Sequence, residues 1–359
     1  MLKAAIVGAT GIVGQQFVLA LQHHPWFSIE ALAASQRSAG QTYGEALRDQ
    51  ATGALHWYAG PLPEKAIFDL PVEAADELDA TRFDIIFTGI ESEPAKILEP
   101  LYAKTCPVIS TASAFRYEED VPVLIPGVND AHLGLLDLQR QQRGWQGFIT
   151  PNANCTTVGL AITLAPIATH FGLETVVMTS LQAVSGAGRN GGVLSLDIVD
   201  NVIPYIPKEE EKVQRETRKI LGHLTASGLE PAAVRMSITC TRVPVIDGHT
   251  ESVLVVTKHK VTLPEVRAAW HSFGQELVQL GLPSSPRQFI VVHDDPFRPQ
   301  PRLDRDTDDG MATVVGRLRA DTAFANGVQY VLLSHNSKMG AAKGAVLTAE
   351  ILVYRGYIG

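Results

Sequence analysis

The chain has 359 residues, 45% hydrophobic and 19% charged, with a formal net charge of −8. At about 100–200 residues per domain this predicts two or three domains. The balance excludes a largely disordered chain, and the acidic excess argues against a nucleic-acid partner. Three cysteines exclude a disulfide scaffold and fit a reducing compartment. The longest apolar candidate, 158–167, is far short of the roughly 18 residues of a membrane span. The N-terminal residues enter a strand pattern directly, without a signal-peptide shape, so a cytoplasmic protein with no membrane partner is expected.

In chain order, 2–7, 29–34, 83–88, 108–110 and 148–150 read as strands. Helical patterns at 12–22, 94–104 and 129–141 lie between some of them. Short apolar strands alternating with helices predict a parallel sheet covered on both faces. A helix is then expected over 155–170. Beyond it come longer strand patterns at 173–185, 235–243, 252–257, 312–318 and 328–334, with helices at 209–221, 263–280 and 338–354. Longer strands with fewer crossovers predict a second, α+β domain whose sheet is mixed and largely antiparallel. The boundary is placed near residue 151.

Gly8, Ala9, Thr10, Gly11, Ile12, Val13 and Gly14 follow a strand and open a helix. Glycines there let the chain turn tightly and approach a pyrophosphate, and the helix N-terminus offers free N–H groups to it. The setting predicts a Rossmann-type dinucleotide-binding domain. An acid about 20 residues on would bind the ribose 2′-OH of NAD. The second strand instead ends in Ser35, Gln36, Arg37 and Ser38, which suit a 2′-phosphate, so NADP is the expected cofactor. None of the eight tyrosines has a lysine four residues on, which excludes the Tyr/Lys mechanism of short-chain dehydrogenases.

Cys155 follows Asn154, a candidate N-cap, at the start of an apolar helical run. A helix N-terminus favours thiolate over thiol and so activates the sulfur. Cys106 and Cys240 lie in apolar strand contexts and read as inert. A thiolate beside a nicotinamide suggests attack on an activated acyl carbon, a thioester, and hydride reduction to an aldehyde. That chemistry calls for an acid/base group, an anchor for a substrate carboxylate and cations for a phosphate leaving group.

With these motifs in place, the sequence resembles the aspartate-semialdehyde dehydrogenase family, particularly its archaeal and fungal branch. The resemblance runs through 8–14, 34–40, 154–157, 181–188, 200–206, 209–212, 242–245, 248–250, 299–304 and 316–319. It implies NADPH-dependent reduction of L-aspartyl-4-phosphate to aspartate 4-semialdehyde and phosphate, in lysine, threonine and methionine biosynthesis. By the same resemblance Cys155 is the nucleophile, His249 the acid/base, and Gln182 the residue that orients substrate. Arg242 pairs with the substrate carboxylate, a task suited to a bidentate guanidinium. Glu209 contacts the substrate amino group, and Lys212 and Arg116 are phosphate-site cations. Ser185, Gly186 and Gly188 form a second glycine loop near the nicotinamide, and Asn336 holds the carboxamide. The final helix would return to the cofactor domain, giving an NADP-binding domain of 1–151 and 338–359 and a catalytic and dimerisation domain of 152–337. A homodimer or homotetramer follows from the resemblance.

Glu209 and Lys212 are also an i, i+3 helix pair, and a solvated salt bridge explains them equally well. Arg116 precedes Glu118, Glu119 and Asp120, which could be its only partners. The branch usually runs Pro-Asn-Cys, whereas here an extra Ala153 separates Asn152 from Asn154 and leaves the cap open. The acidic run 304–310 lacks the sixth-position glycine and twelfth-position acid of a calcium loop, so no metal is expected. Malonyl-CoA reductases resemble the same branch, but Glu209, Arg116 and Lys212 favour an acyl phosphate. An inactive NADP-binding relic is the alternative from another class, opposed by the intact Cys155, Gln182, Arg242 and His249.

Overall fold

The apolar runs of the first 150 residues become parallel strands in the computed structural model, which describes residues 1–188, 193–225 and 228–359. They are β1 (Leu2–Val7), β2 (Phe27–Ala34), β3 (Val72–Ala74), β4 (Ile85–Thr88), β5 (Val108–Ser110) and β6 (Ile149–Pro151). Their order is β3-β2-β1-β4-β5-β6, every pair parallel. Residues such as Ala4 to Val7 and Ile85 to Phe87 are fully enclosed, as strands covered on both faces require. The helices of this unit are α1 (Ile12–Leu21), α2 (Tyr43–Ala46), α3 (Lys65–Phe68), α4 (Ser92–Ala103), α5 (Gly134–Arg143) and α12 (Ala342–Tyr354). The strand order reverses between β1 and β4. In open sheets of this type, ligands bind outside the carboxyl ends of the strands at that reversal.

By its contacts this unit comprises Met1–Pro122, Leu133–Asn152 and Ala341–Gly359. Helix α12 packs on α1 and β5. Its fully buried Glu350 takes a hydrogen bond from His24 Nε2 (2.9 Å), while His24 Nδ1 accepts from the N–H groups of Trp26 and Phe27.

The second unit comprises Val123–His132 and Ala153–Gly340. Residues 123–132 join it because the His132 ring bonds the Gly222 carbonyl (3.1 Å) and Asn129 holds Val123 and Ile125. The same ties explain why the α5 helix begins at Gly134, after a 3₁₀ turn over Asp130–Leu133, and not at Asn129.

This unit holds β7 (Leu173–Gln182), β8 (His223–Thr225), β9 (Gly228–Glu230), β10 (Arg235–Arg242), β11 (His249–Thr257), β12 (Ile290–Val292), β13 (Thr313–Ala320) and β14 (Gly327–Ser334). The main sheet runs β10-β7-β11-β14-β13-β12, with three antiparallel and two parallel pairs; β8 and β9 form a hairpin. The helices are α6 (Cys155–Phe171), α7 (Ser195–Ile198), α8 (Glu209–Ile220), α9 (Leu263–Ser272), α10 (Gln275–Gln279) and α11 (Pro301–Asp304). Helix α6 is apolar nearly all round because β7, β11, β13, β14, α8 and α9 all pack on it.

Two further sequence expectations change. The strand expected to reach Ser185 stops at Gln182 and gives way to a 3₁₀ turn over Val184–Ala187. The helix expected over 263–280 breaks at Gly274, where φ is +74° and the Phe289 ring fills the space a Cβ would need. Strands β3 and β12, three residues each, were not expected from the sequence.

Among the described residues, no helix is long and apolar enough to cross a membrane.

Candidate active site

Cys155 is the first residue of α6. Asn154 caps the helix, its side-chain oxygen accepting from the N–H groups of Thr156 (3.0 Å) and Thr157 (3.3 Å). The inserted Ala153 is buried and does not disturb this cap. The same Asn154 donates through Nδ2 to Glu209 (2.7 Å) and through its backbone N–H to Glu216 (2.6 Å). One asparagine thus aims the N-terminus that carries the sulfur and locks it to α8.

The sulfur lies 3.2 Å from Nε2 of His249. His249 opens β11, is fully enclosed, and its Nδ1 accepts from the backbone N–H of Ala183 (3.1 Å). Burial first, then the Arg242 guanidinium and His335, push the imidazole down to about 3. The ring is therefore neutral near pH 7. With Nδ1 accepting, its proton sits on Nε2 and faces the sulfur.

Arg242 ends β10 and donates through Nη1 to the carbonyl of the same Ala183 (2.8 Å). The backbone of one residue, Ala183, therefore positions both the histidine and the arginine. Gly186 makes room for them: a Cβ there would lie 3.0 Å from Arg242 Nη1 and 3.1 Å from His249 Cε1.

Gln182 pairs in register with Arg242 on the neighbouring strand, and its buried amide donates to Ser180 Oγ (3.2 Å). Glu209 is buried, with Lys212 Nζ at 3.6 Å and Asn154 on its other oxygen. This is not the solvated pair that the i, i+3 spacing alone would allow.

Asn336 has both amide ends engaged. Oδ1 accepts from the N–H of Gly248 (2.8 Å), and Nδ2 donates to Ser185 Oγ (2.8 Å). It braces the loop before His249 against the turn carrying Ser185, Gly186 and Gly188.

The remaining candidates lie in the first unit. Gly8 has φ +82°, and a Cβ on it would meet the Gly89 carbonyl at 2.5 Å; a Cβ on Gly14 would lie 2.1 Å from the Gly8 carbonyl. No side chain caps α1 at Gly11, so the N–H groups of Ile12 and Val13 keep the open end of the helix. Tyr43 fixes this loop by donating to the Ala9 carbonyl (2.8 Å), and Thr10 takes a bond from Gln15 (3.2 Å). A turn held tight by Gly8 and Gly14 and an uncapped helix end fit a pyrophosphate.

Ser35 and Arg37 are exposed beyond β2, and Ser38 is buried in the same turn. Arg116 is buried and donates to the Thr111 carbonyl (2.9 Å). Asp120, a neighbour in sequence, is instead bound by Arg143 (2.6 Å).

Sequence reasoning missed Glu216, which shares with Glu209 and Val213 the buried face of α8, an i, i+4, i+7 pattern that could have pointed to it. It missed Asp76 and Glu77, which follow β3 beside the turn after β2, where Gln36 donates to both (3.0 and 3.1 Å). It also missed Glu251, fully enclosed two residues after His249 with neither carboxyl oxygen hydrogen-bonded; burial raises this group well above the ordinary carboxylate range. The other two thiols, Cys106 and Cys240, are both pushed up to about 12 by burial. Among the described residues no group of three or more His, Cys, Asp or Glu side chains could hold a metal.

Comparison with known proteins agrees in both units. Residues 3–135 match the family model described as semialdehyde dehydrogenase, NAD binding domain, and 164–337 match semialdehyde dehydrogenase, dimerisation domain. The class is thus a semialdehyde dehydrogenase. The aspartate-semialdehyde dehydrogenase of Methanothermobacter thermautotrophicus is 43% identical over 98% of this chain and 99% of its own. That of Archaeoglobus fulgidus is 45% identical over 98% of each. The Candida albicans enzyme, solved with NADP, superposes with a TM-score of 0.88 at 36% identity over the whole of both chains. The chain belongs to the aspartate-semialdehyde dehydrogenase family.

Proposed function

We propose that the protein reduces L-aspartyl-4-phosphate to L-aspartate 4-semialdehyde and phosphate, with NADPH as reductant. The observation that carries this is the Cys155–His249 pair at a capped helix N-terminus, set beside a buried arginine. The helix end, the Nε2–H of His249 and the Arg242 charge all stabilise negative charge on the sulfur.

In this reading the Cys155 thiolate attacks the acyl carbon, the C–O bond to phosphate breaks, and a thioester forms. Phosphate leaves with a proton from solvent. His249 keeps its proton on Nε2 and offers it as a hydrogen bond, first to the thiolate and then to the oxygen that becomes negative. Its acid/base role is thus mainly that of a donor of fixed tautomer. Arg242 binds the substrate α-carboxylate, Glu209 its ammonium group, and Gln182 orients the chain between them. Lys212 in the second unit and Arg116 in the first are each read as a cation for the phosphoryl group.

NADPH, when bound, supplies the hydride that converts the thioester to the aldehyde. Gly8, Thr10, Gly11, Ile12, Val13 and Gly14 would hold its pyrophosphate, and Ser35, Arg37 and Ser38 its 2′-phosphate. Ser185, Gly186, Gly188 and Asn336 would line the nicotinamide end. The units then divide as a discontinuous NADP-binding domain and a catalytic and dimerisation domain.

The face of the second sheet opposite α6 supports a homodimer. It presents Val177, Leu181, Thr179, Ser252, Leu254 and Thr239, and its Val177 and Leu181 are 38% and 40% exposed. Those six side chains are uncharged, as a self-complementary interface core favours. Three free cysteines fit a cytoplasmic setting.

The test is nicotinamide absorbance with the protein, aspartate semialdehyde, phosphate and NADP, beside Cys155→Ser. Phosphate-dependent NADPH formation that vanishes in the variant is expected. NADPH oxidation on adding malonyl-CoA, with no phosphate-dependent reaction, would move the assignment to a thioester reductase.

A further inference from the structure

Helix α4 buries one stripe, Ala95, Glu99, Tyr102 and Ala103, and the acid in that stripe is fully enclosed. Glu99 Oε1 accepts from two hydroxyls, Thr88 Oγ1 at the end of β4 and Ser110 Oγ at the end of β5, each at 2.6 Å. Its other oxygen, Oε2, is buried with no hydrogen-bond partner among the described residues. A mere strut would use both oxygens or be replaced by an uncharged side chain, because an idle buried carboxyl oxygen is costly.

The two hydroxyls sit where the sheet meets the segment carrying Arg116. Ser110 Oγ accepts from Ala112 N–H (3.0 Å), Thr111 N–H donates to the Thr88 carbonyl (3.0 Å), and Arg116 donates to the Thr111 carbonyl (2.9 Å). Ser92 at the start of α4 meets Ser113 (2.8 Å) in the same segment.

We propose that Glu99 is a positioning residue of the phosphate site, pinning the carboxyl ends of β4 and β5 beneath Arg116 and setting how much of the guanidinium charge is available to a phosphoryl group. The proposal rests on the reading of Arg116 as a phosphate-site cation.

The charged and titratable groups acting on Glu99 are Arg116, from the segment after β5, and Tyr102, one turn on along α4; β4 and β5 face it with hydroxyls only. Burial raises the carboxyl to about 7, against the pull of Ser110, Thr88 and Arg116. It therefore changes charge in the working range. Neutral, it leaves the Arg116 charge to the ligand. Ionised, it offsets that charge and repels a phosphate dianion. Phosphate affinity should fall as pH rises through neutrality, and phosphate binding should by linkage draw a proton onto Glu99.

The experiment is KM for phosphate in semialdehyde oxidation between pH 6 and 8.5, with KM for NADP as internal control, for wild type, Glu99→Gln, Ser110→Ala and Arg116→Ala. Phosphate's own titration is common to all four. Glu99→Gln, permanently neutral, should hold KM at pH 8 about five- to tenfold below wild type and converge with it at pH 6. Ser110→Ala removes one bond to the ionised form and should move the wild-type rise to higher pH. Should the glutamine variant not fold, that displacement carries the test. Parallel profiles in wild type and Glu99→Gln, or an unmoved rise in Ser110→Ala, overturn the proposal while leaving the phosphate site standing. An unchanged KM in Arg116→Ala overturns the reading beneath it.

Discussion

The two units solve their binding problems with different materials. In the first, backbone does the work: a glycine turn too tight for any Cβ and a helix end that no side chain caps. In the second, the candidate reactive groups are side chains, each fixed by another group. Asn154 aims Cys155, Ala183 holds His249 through its backbone N–H and Arg242 through its carbonyl, and Asn336 braces the loop before His249. A backbone site tolerates no added atom but is indifferent to most side-chain chemistry. A side-chain site tolerates small changes of packing but not the loss of a partner.

The comparison can be broken first at the sulfur. Cys155→Ser should lower kcat for semialdehyde oxidation by at least about 1,000-fold, with cofactor binding intact by fluorescence titration. Gly14→Val should do the reverse. Its Cβ would start 2.1 Å from the Gly8 carbonyl, so NADPH binding and about 3 kcal/mol of stability should be lost, while iodoacetamide still alkylates Cys155.

Acid gives a third test. The His249 imidazole is held at about 3, below its usual 6.5, so the unfolded chain binds a proton that the folded chain refuses. Stability from this residue is fully present above pH 6.5 and is lost as pH falls toward 3, on the order of 4 kcal/mol at the limit. Calorimetry at pH 7.5 and 5 should show a drop in Tm that shrinks in His249→Gln. An equal drop in both proteins would deny the buried neutral ring.

Cofactor choice is a smaller effect. Arg37→Ala should weaken NADPH use about tenfold or more and leave NADH use nearly unchanged. Equal loss with both would sink the 2′-phosphate role and turn attention to Asp76 and Glu77. Smallest is the cap: Asn154→Ala should cost about 1 kcal/mol through the lost helix bonds, measured by urea unfolding, with a further fall in activity as Glu209 is left with Lys212.

The glycine loop, the helix starting at Cys155 and the strand that begins at Arg235 were legible in sequence because each depends on residues within a few positions. Periodicity and the special backbone needs of glycine and asparagine decide them locally. What was not legible depended on register between distant strands. That Gln182 stands opposite Arg242 and that Ala183 reaches the ring of His249 follow from pairings across about 60 residues, and that Glu99 meets both Thr88 and Ser110 follows from β4 and β5 pairing beside α4. Residues 123–132 belong to the second unit for the same reason, a hydrogen bond from His132 to Gly222.

The sequence by itself therefore determined the two sheets, the glycine turn between β1 and α1, the place of Cys155 at a helix start, and the family. Only the tertiary structure decided the tautomer of His249, the burial of Glu209, the double engagement of Asn336 and the idle oxygen of Glu99. Those are properties of charge and hydrogen bonding in a dry interior, and the interior exists only once the strands have paired.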